Sequence, residues 1–252
     1  MRDLKFTLIT ASLNSEQTIK DSLDSVYNQS YKNIEHIIID SKSTDKTISI
    51  VEKYSHVTKI ISEPDKGIYD ALNKGIKYST GDIIGFLHSD DHFSNNNVIE
   101  KIVKKFSQKN DLSAVYADCE FFSKKDKKKI IRKWISKPYN KKLLLNGWMP
   151  PHASLYVRTE LIKSVNGFDS TFKISGDYDC ILKMFTQNNF KAHHIPEVIL
   201  KMSMGGKSNR SISNIILKTK EDWRALRQNN YNFFLSLKII ILKNFSKLIQ
   251  FF

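Results

Sequence analysis

An α/β domain with a parallel sheet covered by helices is predicted over the first 90 or so residues of this 252-residue chain. Two observations predict it. Short apolar, β-prone runs alternate with helix-capping signals in a β-α-β-α-β-α-β rhythm. Three of the four strands then end in polar or acidic clusters, at Asn14, Asp40 and Asp90-Asp91. In sheets of this kind ligands bind beyond the C-terminal ends of the strands.

The elements follow in order. Residues 5–13 are apolar and β-prone and end in Asn14-Ser15, with Gln17 at capping-box distance, so a helix is expected over 16–29. Ile37-Ile38-Ile39 form a buried-type strand ending at Asp40, and Ser43-Thr44-Asp45 cap a second helix. Residues 57–62 give a third strand, 67–78 a third helix and 82–89 a fourth strand. Beyond residue 110 the rhythm changes. Residues 114–122 and 130–135 read as a hairpin around a lysine-rich turn, 153–158 and 198–204 as further strands, and 177–187 and 211–228 as helices. No repeat or Pro/Gly linker divides residues 1–230, which are taken as one domain. The change of rhythm divides it into halves, 1–110 and 111–230.

Composition narrows the function. Hydrophobic residues make up 40% and charged residues 26%, which excludes a disordered chain or a multi-span membrane protein. The net charge of +14 is uneven: residues 1–119 sum to −2, while 120–142 and 201–252 each carry +8. Two local basic patches beside an acidic body suit a docking surface, such as anionic lipid, or simply solvated lysines at 124–129. Cys119 and Cys180 lie in apolar stretches and read as small core residues. Arg2, Asp3 and Lys5 interrupt the opening segment, so no secretory leader is expected and the location is read as cytoplasmic.

The chemistry sits at the strand ends. Adjacent carboxylates at Asp90-Asp91 repel unless a cation or hydrogen bonds compensate, and Mg²⁺ or Mn²⁺ takes oxygen ligands and bridges to phosphate. The same pair also suits a helix cap. Asp40 can accept an N–H from a base such as uracil, or serve the turn that follows it. Asp65 lies in a Pro-Asp-Lys-Gly turn. Asp177 opens a helix, where an acid is favoured for its charge alone, and is a candidate general base if it faces the metal site.

The ordered motifs resemble glycosyltransferase family 2. They are Ile9-Thr10-Ala11-Ser12-Leu13-Asn14, the stretch from Ile39 to Thr47, Asp65 to Gly75, Phe86 to Asp91, Asn166-Gly167-Phe168-Asp169 and Gly176-Asp177-Tyr178-Asp179. The resemblance covers about residues 4–210 and is nearest to the branch that builds O-antigen and other bacterial surface polysaccharides. It implies the GT-A fold, a Rossmann-like mixed sheet flanked by helices, and an inverting transfer from a nucleotide sugar, most simply a UDP-sugar. It implies a base pocket lined near Thr10 and Ala11, with Asp40 on the uracil and Asp65, Asn14, Asn73, Lys74 and Ser89 on the donor side. Asp91 would ligate the metal, with Asp90 beside it or on the ribose, and Asp177 would be the base. His152, Gly206 and Ser208 would face the acceptor, although a histidine after Pro150-Pro151 also suits a purely structural role. Gly176 departs from the family pattern, which has an acid there. The Gln-x-x-Arg-Trp motif of processive synthases is not visible, so polymerisation is not expected.

Residues 231–252 contain 14 apolar residues, three lysines and no acid. At helical spacing Phe234, Leu237, Ile241, Leu242, Phe245, Leu248, Ile249 and Phe252 cluster opposite Ser236, Lys243, Lys247 and Gln250. This C-terminal amphipathic helix suits a membrane interface, or packing on the domain or on a second subunit as a homodimer. The reading reached is a metal-dependent glycosyltransferase at the inner face of the plasma membrane, with a lipid-diphosphate-linked acceptor. The alternative is a non-catalytic basic protein binding membrane or nucleic acid. Asp40, Asp65, Asp90 and Asp91 argue against nucleic acid, because they would repel phosphate without a metal.

Overall fold

Strand residues alternate between two faces, and both faces of the first strands are apolar, so the sheet must be covered on both sides. The computed structural model describes residues 3–204 and 212–249, with side chains over 3–204 and 213–244. Strands β1 (Phe6–Ser12), β2 (Ile34–Asp40), β3 (Val57–Ser62) and β4 (Ile83–Phe86) pair in parallel in the order β3-β2-β1-β4. Ile9, Ala11, Ile37 and Ile39 enter one core, while Phe6 and Leu8, and separately Ile38, enter cores on the opposite face. Helices α1 (Ile19–Tyr27), α2 (Thr47–Val51), α3 (Ile68–Tyr78) and α4 (Val98–Gln108) supply the cover. Tyr69, Leu72 and Ile76 of α3 join the first core. Gly75 lets α3 lie close to β1, since a Cβ there would meet the Ile9 side chain at 2.5 Å.

The second half extends the sheet as β4-β8-β6-β9-β5, and nine strands make one mixed sheet among the described residues. Its strands are β5 (His92–Phe93), β6 (Ala114–Phe122), β7 (Ile130–Trp134), β8 (Leu155–Arg158) and β9 (Ala192–Ser203). β7 is the antiparallel hairpin partner of β6, as the lysine-rich turn predicts. Helices α5 (Lys141–Leu144), α6 (Thr159–Ser164), α7 (Gly176–Phe185), α8 (Ile212–Gln228) and α9 (Phe233–Ile249) complete the fold. Cys119 and Cys180 are buried and free.

Three features differ from the sequence reading. The helix expected from residue 16 begins at Ile19, because Asn14 turns to a φ of +48° and binds the next loop instead of capping. Its N–H donates to Ser43 Oγ and its Oδ1 accepts from Thr44 N–H. β9 begins six residues earlier than expected. Pro196 and Glu197 loop out where pairing skips from Ala117–Ile195 to Asp118–Val198, so the missing proline N–H interrupts the ladder without ending it.

The third difference concerns the C-terminal helix. α9 shares the core of the domain through Ile239 and Ile240, and Ser236 and Lys243 are buried on the same side. Its apolar residues Phe234, Leu237 and Ile241 point outward, Phe234 with 81% of its surface exposed. The helix thus docks by a face that includes the polar positions and presents much of its apolar face to the surroundings. The side chains of Phe245, Lys247, Leu248, Ile249, Gln250 and Phe252 lie outside the described set.

Candidate active site

The loops after β1 and β2 are tied together by Asp40. Its carboxylate is fully buried and accepts from Ser12 Oγ at 3.0 Å, Ser43 N at 2.8 Å, Ser62 Oγ at 2.8 Å and the Ser43 hydroxyl. Two carboxylate oxygens offer about four acceptor positions, so Asp40 is satisfied within the chain. Glu63 N–H donates to Asp40 O at 3.0 Å, bringing in the loop after β3. There Asp65 accepts from the Ser41 hydroxyl and from Lys74 Nζ at 2.6 Å. Lys74 also meets Glu63 at 2.9 Å and Asp70 at 3.8 Å; burial works against its charge, but Asp65 and Glu63 raise its pKa.

Two expected donor-side residues are engaged elsewhere. Thr10 is buried, with its hydroxyl 2.9 Å from His36 Nε2, while the neighbouring Ala11 is 8% exposed on the other face of the strand. Asn73 bonds Phe168 twice, donating from Nδ2 to its carbonyl at 2.7 Å and accepting its N–H at 2.9 Å. That clasp fixes the Asn166–Asp169 turn onto α3. Asn14 knits the first two loops, and Ser89 Oγ lies 2.8 Å from Ser15 Oγ. Gly206 and Ser208 lie outside the described residues.

Beyond β4 the chain carries His88, Ser89, Asp90 and Asp91 across the sheet end. Asp91 is 3% exposed, and among the described residues its carboxylate accepts one hydrogen bond, from Ser203 N–H at 2.9 Å. Burial and the charge of Asp90 push its pKa up to about 8. Asp90 is more open and meets Lys124 of the lysine-rich turn at 3.3 Å. A buried carboxyl to which the described residues give a single backbone N–H, beside a second acid, fits a hard divalent cation. No group of three or more His, Cys, Asp or Glu able to hold a metal occurs among the described residues. Such a cation would complete its shell with phosphate oxygens and water.

The third cluster brings in the 111–230 half of the domain through His152 and Asp177. His152 Nδ1 lies 3.1 Å from Asp177 Oδ2, and its ring meets His88 edge-on at 5.9 Å. Burial alone would raise the pKa of Asp177. The charge and hydrogen bond of His152, with Lys243 and Lys218 behind, instead hold it well below the usual carboxylate range. Burial likewise opposes charge on His152, but Asp177 and more distantly Asp91 raise its pKa. His88 goes the other way, pushed down to about 4 by burial and the charge of His152. Asp179 lies on another face of α7, bonded to Lys183 at 2.6 Å and Asn229 at 2.9 Å, and supports the helix.

Sequence reasoning missed four members of this site: Tyr69, His88, Lys218 and Lys243. His88 and Tyr69 lie within the Phe86–Asp91 and Asp65–Gly75 motifs and carried a signal. The others depend on packing. Lys243 reaches from α9 to Asp222 at 3.1 Å and stands 3.0 Å from the Tyr178 ring centroid; burial pushes its pKa down to about 7 against the pull of Asp222. Tyr69 accounts for the glycine at 176. Its hydroxyl donates to Ile174 O at 2.6 Å, and a Cβ at residue 176 would meet its ring at 2.7 Å. The acid that the family pattern has there is excluded by this ring.

Comparison with known proteins matches residues 7–162 to the model described as glycosyl transferase family 2. The chain is 30% identical over 231 residues to the Escherichia coli UDP-Glc:alpha-D-GlcNAc-diphosphoundecaprenol beta-1,3-glucosyltransferase WfgD, covering 90% of this chain and 87% of that one. Its fold is shared with Staphylococcus aureus TarS 1–349 in complex with UDP-GlcNAc, at TM-score 0.71 and 20% identity over 96% of this chain and 72% of that one. It is also shared with mannosyltransferase PcManGT of Pyrobaculum calidifontis in complex with GDP-Man and Mn²⁺, at TM-score 0.68 and 18% identity over 98% and 71%.

The Tyr69–Gly176 contact makes a specific prediction. Gly176→Ala should destabilise the fold by about 1–3 kcal/mol through overpacking, and adding Tyr69→Leu should return part of that loss. Urea denaturation of the two single variants and the double variant measures the coupling. Strictly additive effects would contradict the close packing.

Proposed function

The chain belongs to glycosyl transferase family 2, and we propose that it is an inverting enzyme moving a sugar from a UDP-sugar to a lipid-diphosphate-linked saccharide in surface-polysaccharide synthesis. One observation carries this reading. The buried, uncompensated Asp91 beside Asp90 and the His152–Asp177 pair are linked through the edge contact of His88 and His152, so a cation site and a proton acceptor adjoin. Asp91 and Asp90 are the residues that would hold Mn²⁺ or Mg²⁺, which when bound neutralises charge on the leaving diphosphate.

Ala11, Asp40 and Asp65 serve the nucleotide. Asp40 fixes the floor of the base pocket, and a base N–H reaches it in exchange for one serine hydroxyl. Residues 1–110 form the donor half and 111–230 the acceptor half, with the Asp177 side of α7 turned to the incoming hydroxyl. The donor and acceptor named for WfgD support the UDP-sugar and the lipid diphosphate. No described helix is long and apolar enough to cross a membrane. The outward apolar side chains of α9 rest instead on the anionic inner face of the plasma membrane, and the basic turn at 124–129 adds attraction.

Hydrolysis of UDP-glucose, UDP-N-acetylglucosamine and GDP-mannose with Mn²⁺ or Mg²⁺ tests the activity. Turnover of a UDP-sugar that EDTA removes is expected. Asp177→Asn should cut that rate by about 10²–10⁴ while leaving UDP binding in place. An equal loss of UDP affinity would make Asp177 part of the donor pocket.

The membrane contact has its own test. A fully buried large apolar side chain is worth about 1.5–3 kcal/mol, and an interface realises part of that. Replacing Phe234, Leu237 and Ile241 together by serine should therefore lower co-sedimentation with anionic vesicles by about tenfold or more without unfolding the domain. Unchanged vesicle binding together with a changed oligomeric state in ultracentrifugation would assign this face to a second subunit.

A further inference from the structure

We infer that Glu221 of α8 is a positioning residue for Asp177, holding the backbone that delivers that acid to the site. The inference rests on the reading of Asp177 as the proton acceptor of the proposed transfer and deepens it. Residues 165–175 link α6 to α7 without helix or strand, so their own secondary structure does not fix where α7 begins. The hydroxyl of Ser175, the residue before α7, donates to Lys218 O at 3.4 Å and gives the helix no capping bond. Glu221 holds this stretch instead. Its Oε1 accepts Lys173 N–H at 2.9 Å, and its Oε2 accepts Ile174 N–H at 2.8 Å and Ser175 N–H at 2.9 Å. The side chain is buried, so its charge is spent on three consecutive backbone groups.

The peptide group between Ile174 and Ser175 is thereby held at both ends. Its carbonyl accepts the Tyr69 hydroxyl of α3 at 2.6 Å, and its N–H donates to Glu221. Ser175 O then accepts the N–H of Asp179 at 3.1 Å, closing the first turn of α7, and Asp177 lies inside that turn. A shift of this peptide carries Asp177 with it, away from its 3.1 Å contact with His152. Arg224, three residues on along the same side of α8, continues the clamp. Its guanidinium meets Asp169 at 3.3 Å, donates to Thr171 Oγ1 at 2.5 Å and lies 4.4 Å from the Phe172 ring centroid. α8 is itself anchored through Asp222, which pairs with Lys218 and with Lys243 of α9.

Bonds from backbone N–H groups to a carboxylate are charge-assisted and stronger than neutral ones. Glutamine at residue 221 would keep the shape but set an NH₂ group where one oxygen accepts, so at least one of the three N–H groups would lose its partner. A displacement of about 1 Å in a reacting group can cost about a hundredfold in rate. Asp40 and Asp65 lie on other loops, which Glu221 does not hold. Loss of the clamp therefore falls on turnover and spares the donor.

The test uses hydrolysis of UDP-glucose, UDP-N-acetylglucosamine and GDP-mannose with Mn²⁺, water being the acceptor, and calorimetric binding of UDP. Glu221→Gln should lower kcat by about 10- to 100-fold, with the donor KM and UDP affinity changed by less than about twofold. In an Asp177→Asn background the same substitution should change the remaining rate by less than about twofold, because residues that act as a unit are not additive. A wild-type kcat in Glu221→Gln, or the full multiplied loss in the double variant, would overturn the proposal while leaving the glycosyltransferase reading intact. A matching loss of UDP affinity would also overturn it, by making the clamp part of the donor pocket. If Glu221→Gln fails to fold by circular dichroism, Tyr69→Phe decides, since it frees the carbonyl end of the same peptide. A kcat loss of about threefold or more that Asp177→Asn absorbs is then expected, and an unchanged kcat or two independent losses would overturn the proposal. Hydrolysis of none of the three donors by the wild type, or turnover of Asp177→Asn at the wild-type rate, would overturn the underlying reading, and the proposal with it.

Discussion

Four carboxylates crowd one end of a buried sheet, and how each is compensated governs the rest of the site. A charge taken out of water must be paired, hydrogen-bonded or neutralised. Asp40 is satisfied by hydroxyls and a backbone N–H, and Asp65 by Lys74 and Ser41. Asp177 is held by His152, with the buried Lys243 and the half-buried Lys218 behind it. Asp91 alone receives only one backbone N–H from the described residues. The first two are thereby fixed components of the scaffold at the sheet end, the third is a fixed anion, and the fourth is the one that a cation would compensate under the function proposed above.

This difference separates acids with different surroundings within motifs that look alike in sequence. Asp177 and Asp179 stand two residues apart on α7, yet only Asp177 meets His152, while Asp179 braces Lys183 and Asn229. Asn73 lies beside Lys74 in a single motif, but one clasps the Asn166–Asp169 turn and the other neutralises Asp65. A motif fixes the chain's path, and which of its side chains is left for chemistry depends on what packs against it.

The parallel half of the fold was legible because its signals are local. Strand period, capping residues and the acidic strand ends all lie within short windows, and the four strands and the helices between them occur where those windows point. The fold family and the positions of Asp90, Asp91 and Asp177 were legible through motif order. What was not legible depends on long-range contact. β9 was cut short because Pro196 signals an end that the bulge opposite Ala117 and Asp118 absorbs. Gly176 read as a missing acid until Tyr69 was seen to fill its space. Lys243 fell on the polar side of an amphipathic helix and so read as solvent-facing, whereas Asp222 and Tyr178 draw it inward. That reversal leaves the apolar face of α9 outward and places a lysine from the same helix behind Asp177.

Calorimetric titration of UDP with and without Mn²⁺ tests the central claim most directly, because it asks whether the acid pair at the end of β4 needs an external cation to accept a diphosphate. The account predicts that Mn²⁺ tightens UDP binding by about tenfold or more, a coupling of about 1.4 kcal/mol, and that Asp91→Asn removes the gain. Equal UDP affinity in Mn²⁺ and in EDTA would contradict it.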